Sequence, residues 1–307
     1  MPPNKAVLIT GCGPNGIGSA LAREFHMRGH SVFATGRSAD EIDPLLTRLG
    51  MRTIVLDVTS DGSIAEAVGV VQTTTGGRLD VLVNNAGLLH VMPFADTAVA
   101  DVRRLMDVNV IGVWAVTHAF LPLLLEAKGV VANLCSINEV FCPPFLAAYN
   151  ASKAAIEAMA RTIRRELAPF GVGVVILKTG SVRSRLFENS APTVLPEQSL
   201  YAPLRNWIEG RGFAASARFM DVEDYAKTVV TQLLKDDVRP VLWIGGLVWV
   251  AWFLSWFGWE TIMVGFTCSP SISALHLTDA AQDQSIIKGN DLHKLRDGSP
   301  NERSKSA

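Results

Sequence analysis

The chain has 307 residues, 49% of them apolar, and its 28 Lys and Arg meet 29 Asp and Glu for a net charge of −1. That length supports one large core in one or two domains, and the balanced charge without a long basic run excludes nucleic acid as the expected partner. Cys12, Cys135, Cys142 and Cys268 form no Cys-x-x-Cys pair and do not cluster with histidine, so no metal site and no disulfide framework are expected, and a reducing compartment fits.

The N-terminal MPPNKAVLIT enters an apolar strand almost at once, without a charged leader and a long apolar stretch, which places the chain on the cytosolic side of any membrane. Short apolar runs then alternate with helical patterns: AVLIT at 6–10, SVFAT at 31–35, RTIVL at 52–56, LDVLVN at 79–84, GVVANL at 129–134 and VGVVIL at 172–177. Runs apolar on both faces suit strands sandwiched between helix layers. They predict an α/β fold, a Rossmann-type doubly wound parallel sheet in a single domain over residues 1–235. The clearest crossover helix runs from about Tyr149 to Pro169, with Ile156, Met159, Ile163 and Leu167 as its core stripe and Pro169 and Gly171 as its stop. Residues 181–220 are irregular, with prolines at 192, 196 and 203, and form the candidate substrate lid. Asp221 to Lys235 closes the globular unit as an amphipathic helix.

Composition changes at VLWIGGLVWVAWFLSWFGWE, Val241 to Glu260, where nineteen consecutive residues carry no charge and five of the seven tryptophans gather. Trp249, Trp252, Trp256 and Trp259 share one helical stripe, and indoles favour the headgroup region of a bilayer. Residues 240–266 are therefore expected to associate with a membrane, either as a single crossing or as a monotopic element; the Gly245-Gly246 pair and the tryptophan density favour the second. A buried core or subunit-interface helix is the competing reading. Residues 269–307 are polar and read as a disordered tail.

After the first strand, TGCGPNGIGSALA places Gly11, Gly13 and Gly16 in a Gly-x-Gly-x-x-Gly spacing between strand and helix, with Ile17 and Gly18 in the same turn. Missing side chains let a backbone approach a diphosphate at a helix N-terminus. The second strand ends FATGRS, so Arg37 stands where an acidic residue would hold the ribose of NAD; an arginine there can pair with a 2′-phosphate, which favours NADP(H), although Asp40 and Glu41 lie close by. In YNASK, Tyr149 and Lys153 lie four apart on one helix face, where an ammonium can sit beneath the same ligand as a phenol.

In this order the motifs resemble the short-chain dehydrogenase/reductase family over about residues 1–235: Thr10-Gly11 with Gly16 and Gly18, Asp57-Val58, Asn84-Asn85-Ala86-Gly87, Asn109, Ser136, and Tyr149 with Lys153. The glycine loop, SALAREFHMRGHSVFATGR and the Trp-rich end look like the fungal NADPH-dependent 1-acyldihydroxyacetone-phosphate reductases. The resemblance implies that Tyr149 is the general acid of a ketone reduction, acidified by Lys153, which also holds the nicotinamide ribose. It implies that Ser136 binds the carbonyl oxygen and that Asn109 kinks a helix and holds a water relaying protons to Lys153. Asp57 would meet the adenine edge, and the turn from Asn84 through Ala86 to Gly87 would support the adenine side and brace the central strands. The glycine loop is one residue longer than the commonest form. Thr179-Gly180 replaces the usual Pro-Gly, with Ser181 and Val182 following where the family meets the nicotinamide carboxamide. Dimers or tetramers are usual in the family.

The expected activity is NADPH-dependent reduction of an apolar or lipidic ketone beneath the 181–220 lid, on the cytosolic face of a membrane such as endoplasmic reticulum or lipid droplet. Acyl-dihydroxyacetone phosphate and an intermediate of secondary metabolism are the substrate candidates, with Arg183, Arg185 and Arg205 available to a phosphate. The alternative is a non-catalytic NADP(H)-binding sensor or scaffold.

Overall fold

The computed structural model describes residues 4–190, 192–212 and 218–257. Among them, seven strands form one parallel sheet: β1 (Ala6–Ile9), β2 (Ser31–Gly36), β3 (Arg52–Val55), β4 (Val81–Asn84), β5 (Val130–Ser136), β6 (Gly173–Thr179) and β7 (Val241–Ile244). Their order is β3-β2-β1-β4-β5-β6-β7. Around them lie α1 (Ile17–Met27), α2 (Pro44–Arg48), α3 (Asp61–Thr75), α4 (Val99–Met106), α5 (Gly112–Ala127), α6 (Asn138–Phe141), α7 (Ala147–Leu167), α8 (Leu186–Asn189), α9 (Arg205–Glu209), α10 (Val222–Leu233) and α11 (Val248–Phe257).

Side chains alternate across the strands and build two cores. Val7, Ile9 and Val175 pack with Leu21, Phe25, Tyr225 and Val229 of α1 and α10 on one face. On the other, Leu8, Leu82 and Ile176 pack with Ile64, Val116, Phe120 and Ile156 of α3, α5 and α7. The six runs read from the sequence all become strands. β3 departs from the expectation of two apolar faces: as the edge strand it leaves Arg52, Thr53 and Val55 exposed. Helix α7 begins two residues before Tyr149, buries Ile156 and packs Met159, Ile163 and Leu167 against the same core. Local chemistry sets other ends: the Asp221 carboxylate accepts from Glu223 N at 2.9 Å to cap α10, and Gly76 closes α3 at φ +68°.

The C-terminal end corrects the sequence reading. Val241–Ile244 is not the start of an apolar helix but β7, hydrogen-bonded along β6, so the sheet domain extends beyond residue 235. Gly245 and Gly246 are explained by a close crossing of backbones, not by a membrane hairpin. A Cβ on Gly180 would stand 2.1 Å from the Gly246 carbonyl oxygen, and one on Gly246 would stand 1.7 Å from that of Arg218. Here Ser181 N donates to Gly246 O at 3.1 Å, Gly246 N returns a bond to Ser181 O at 3.0 Å, and Met220 N donates to the same oxygen at 2.9 Å. The following helix, α11, has ten residues, about 15 Å, half of a hydrocarbon core. Residues 258–266 of the expected membrane segment and the tail at 269–307 lie outside the described residues.

The lid segment has more order than its composition predicts. Leu195, Leu204 and Ile208 bury with Leu89, Val91, Phe145, Leu146 and Tyr149 in a third apolar cluster. Phe145, held at φ +67°, meets the rings of Tyr201 and Trp207 edge-on at centroid distances of 5.7 and 5.9 Å.

Gly180→Ala is expected to lower unfolding stability by about 1–3 kcal/mol through overpacking of this crossing. Gly69→Ala, where the added carbon meets nothing within 4 Å on α3, is expected to raise it by up to about 1 kcal/mol. Urea denaturation of both variants checks the pair.

Candidate active site

The sheet order reverses between β1 and β4, and the loops leaving these two strands form one crevice, as strand order requires. Thr10 joins them: its hydroxyl accepts from Asn85 N at 3.0 Å and Ala86 N at 2.9 Å. The Asn85 amide donates to Thr10 O at 2.7 Å and Gly11 O at 2.9 Å. Gly11, at φ +72°, has no room for a side chain, because a Cβ would approach Ala86 Cα to 2.9 Å. Asn15 turns through φ +54°, accommodating the longer loop. Helix α1 then starts at Ile17 without a side-chain cap, leaving its first amides to the crevice.

Gly11, Gly13, Gly16, Ile17, Arg37, Asp57, Ala86 and Gly87 all line this cleft. Gly18 lies beneath it, where a Cβ would come within 2.5 Å of Gly11 O. Of the other expected cofactor contacts, Tyr149 and Lys153 are not on the lining, Lys153 adjoining it through Leu134 and Gly87, and two are placed otherwise. Asn84 is buried and its amide donates to Thr117 Oγ1 at 2.9 Å and Asn133 Oδ1 at 2.8 Å, so it braces β4, β5 and α5 rather than facing the cleft. Val182 is buried in the core beside α10, and the cleft wall there comes from Ser184 and Leu186. The sequence reading also passed over Cys12, Pro14, Leu56, Leu88 and Val108, which line the cleft as chain neighbours of the motif residues. Burial pushes the Cys12 thiol up to about 12, so it is no nucleophile at neutral pH.

Asp57 is held as part of a turn, its Oδ1 accepting from Thr59 N at 2.9 Å and Thr59 Oγ1 at 2.7 Å. The Arg37 guanidinium forks onto Glu41, with Nε 3.0 Å from Oε2, and this partner keeps it firmly charged. Both side chains face the cleft. The cation predicted to meet a 2′-phosphate thus has an internal carboxylate on the same site.

The four expected catalytic residues converge from three elements. Ser136 ends β5, its hydroxyl accepts from Asn138 N at 3.2 Å, and it is the neighbour that favours ionisation of the Tyr149 phenol. Lys153, one turn after Tyr149 on α7, donates to Leu134 O at 2.8 Å, and its Nζ lies 5.7 Å from the centroid of the Tyr149 ring. Asn109 is fully buried in a π-turn, Asp107–Ile111, between α4 and α5. The expected kink is therefore a locally widened helix, a common device at sites. Asn109 Oδ1 accepts from Leu88 N at 2.7 Å, while Nδ2 donates to Leu88 O and Ser152 Oγ, each at 3.0 Å. Ser152 in turn donates to Tyr149 O at 2.8 Å. Asn109 so ties the cleft wall to the helix that carries the phenol.

The electrostatics differ from the sequence expectation. Burial pushes the Tyr149 phenol above its ordinary value, opposed by the nearby Ser136 hydroxyl and reinforced by Glu139 and Cys135. Lys153 is lowered by its own burial, and its ammonium is committed to the Leu134 carbonyl. The dominant influence on the phenol is desolvation rather than the neighbouring amine. A phenol of this kind stays protonated at neutral pH and can donate to a ligand oxygen placed between it and Ser136.

A family model described as short chain dehydrogenase matches residues 5–194. A short-chain dehydrogenase of Aspergillus ruber, fogD, is 38% identical over 258 residues, covering 84% of this chain and 90% of the relative. An NADPH-dependent 1-acyldihydroxyacetone phosphate reductase of Schizosaccharomyces pombe is 40% identical over 260 residues, 80% of this chain and 87% of its own length. Among solved structures, a short-chain dehydrogenase from Streptomyces avermitilis superposes with a TM-score of 0.73 at 26% identity, over 94% of this chain and all of the other.

Asn109→Ala leaves the Leu88 amide and carbonyl without their side-chain partner, and a loss of about 1–3 kcal/mol is expected in chemical denaturation.

Proposed function

Since the chain belongs to the short chain dehydrogenase family and is an oxidoreductase of that family, we propose that it reduces a ketone to a secondary alcohol with NADPH, on an apolar or lipidic substrate. The observation that carries this reading is the convergence of Ser136 at the end of β5 with Tyr149 and Lys153 one turn apart on α7: Lys153 donates to Leu134 O at 2.8 Å, a carbonyl of the glycine-lined cleft wall, and Tyr149 packs into the apolar cluster of residues 181–220.

The cleft fits a dinucleotide. Gly11 and Gly16 leave the loop backbone bare, the uncapped start of α1 offers amides to a diphosphate, and Lys153 Nζ lies 3.8 Å from the place of a Cβ on Gly87, near where a ribose would be held. When bound, the cofactor supplies the hydride. Ser136 orients the carbonyl oxygen, and Tyr149 gives its proton as negative charge develops there. Desolvation serves this direction of reaction, because it keeps the proton on the phenol until an alkoxide demands it. Lys153 keeps a positive charge beneath the site.

Arg37 at the cleft edge, together with the NADPH-dependent relative, supports NADP(H) over NAD(H). Two substrate classes follow from the reading, an acyl-dihydroxyacetone phosphate and an apolar ketone of secondary metabolism. One observation favours the second: two of the three arginines offered to a phosphate are engaged internally, Arg205 with Leu195 O at 2.6 Å and Glu209 at 2.9 Å, and Arg185 with Glu188 at 2.6 Å, which leaves Arg183, exposed, as the third. Membrane contact on the cytosolic face, at endoplasmic reticulum or lipid droplet, is supported by α11, whose Trp249 and Trp256 are 73% and 72% exposed. A non-catalytic sensor would not need the phenol, since binding alone requires no proton donor.

Tyr149→Phe is expected to lower the reduction rate by about 10²- to 10⁴-fold while NADPH binding, followed by fluorescence titration, stays within about twofold; binding without turnover by the wild type on a panel of apolar ketones would favour the sensor. With the phenol raised, the rate of ketone reduction is expected to stay level through neutral pH and to fall with rising pH only above the ordinary phenol value of about 10, as a pH profile of kcat/KM will show. Arg37→Gln is expected to weaken NADPH about tenfold and leave NADH nearly unchanged, measured as a ratio of the two dissociation constants.

A further inference from the structure

β6 carries a charge inside the core. Lys178, 4% exposed, has its ammonium bonded to Glu139 of α6 and to Glu157 of α7. The Nζ also lies 5.1 Å from the centroid of the Trp243 ring on β7, and Arg161 joins the far side of Glu157 at 2.9 Å through Nε. Two cations thus face two carboxylates. Arrays of this kind gain little stability over apolar replacements, because desolvation of each ion offsets the attraction. Stability alone does not account for it.

Its position does. Glu139 stands three residues after Ser136, and Glu157 stands one helical turn after Lys153. Lys178 itself precedes Thr179, the residue paired with Ser136 across β5 and β6. A single ammonium therefore binds the segment carrying the serine hydroxyl to the helix carrying the phenol and the amine. The other carboxylate oxygen of Glu139, Oε2, is buried without a hydrogen-bond partner. Among the described side chains Lys178 is the one that Glu139 binds, and α6 is a helix of four residues whose start is held by Ile137 N on Thr179 O at 3.0 Å and Asn138 N on Ser136 Oγ at 3.2 Å.

We propose that Lys178 is a positioning residue for the ketone reduction: through Glu139 and Glu157 it fixes the segment after β5, which begins at Ser136, against the helix that carries Tyr149. The inference rests on the reading of Ser136 and Tyr149 as the pair that meets the carbonyl oxygen.

The test is a double-mutant cycle between this clamp and Ser136. Glu139→Leu cuts the arm to α6 and leaves Lys178 and Arg161 sharing Glu157; if it does not fold, Glu139→Gln replaces it. Glu139→Leu is expected to lower kcat about tenfold, with the KM for the ketone and the NADPH dissociation constant within about twofold of wild type. Ser136→Ala, costing about 10²-fold alone, is expected to cost only about tenfold in the Glu139→Leu background, so that the double variant falls no further than Ser136→Ala by itself. Lys178→Arg should retain more activity than Lys178→Met. Multiplicative losses in the cycle, or an unchanged kcat for Glu139→Leu, would overturn the proposal. Hydrogen exchange keeps the two readings separable: if the wild type reduces no ketone, the functional reading fails by itself. The clamp is then supported by faster amide exchange at residues 138–142 in Glu139→Leu with α7 unchanged, and overturned by equal exchange.

Discussion

Two neighbouring parallel strands whose outgoing chains turn to opposite sides create the crevice on which everything else here depends, and the Thr10–Asn85 hydrogen bonds hold its two lips together. A parallel sheet grows outward from its first strand, so the reversal between β1 and β4 is the place where no crossover helix covers the strand ends. The glycines follow from that geometry. Gly11 and Gly18 are small because the loop lies directly on the β4 turn, and the bare backbone that results is what a diphosphate can approach. Packing and ligand chemistry impose the same residue here, for two separate physical reasons.

The reactive groups are placed by a different logic, that of buried polar contacts. Ser136, Tyr149, Lys153 and Asn109 are nearly or wholly inside the protein, where an unpaired polar atom is costly. Their hydrogen bonds therefore run in a continuous chain, from Leu88 through Asn109 and Ser152 to Tyr149, and from Lys153 to Leu134. A low-dielectric setting makes each of these contacts stiffer and holds the phenol in its neutral form. Acidity at this site is governed by how much water reaches it.

Much of this was legible in the chain itself. Strands buried on both faces announce themselves by composition alone, and the glycine spacing, Asp57, Ser136, Tyr149 and Lys153 carry meaning through their order along such strands. Other features leave no such trace. β7 alternates buried and half-buried residues, but four residues followed by Gly-Gly and an indole-rich helix read as one apolar stretch. The π-turn at Asn109 depends on Leu88 and Ser152, which are distant in sequence. Whether an amine acidifies a phenol depends on burial and on where the ammonium points, and Lys153 points at a carbonyl. Lys178 was visible as a charge ending an apolar run, yet its two carboxylate partners come from separate helices.

The crossing at Ser181, Met220 and Gly246 gathers three distant stretches of chain at a single knot. Both stems of the lid are tied there, as is the backbone that enters α11. One residue, Leu247, separates Gly246 from the tryptophan-bearing helix, so a load on α11 would reach the two stems of residues 181–220 at the same anchorage.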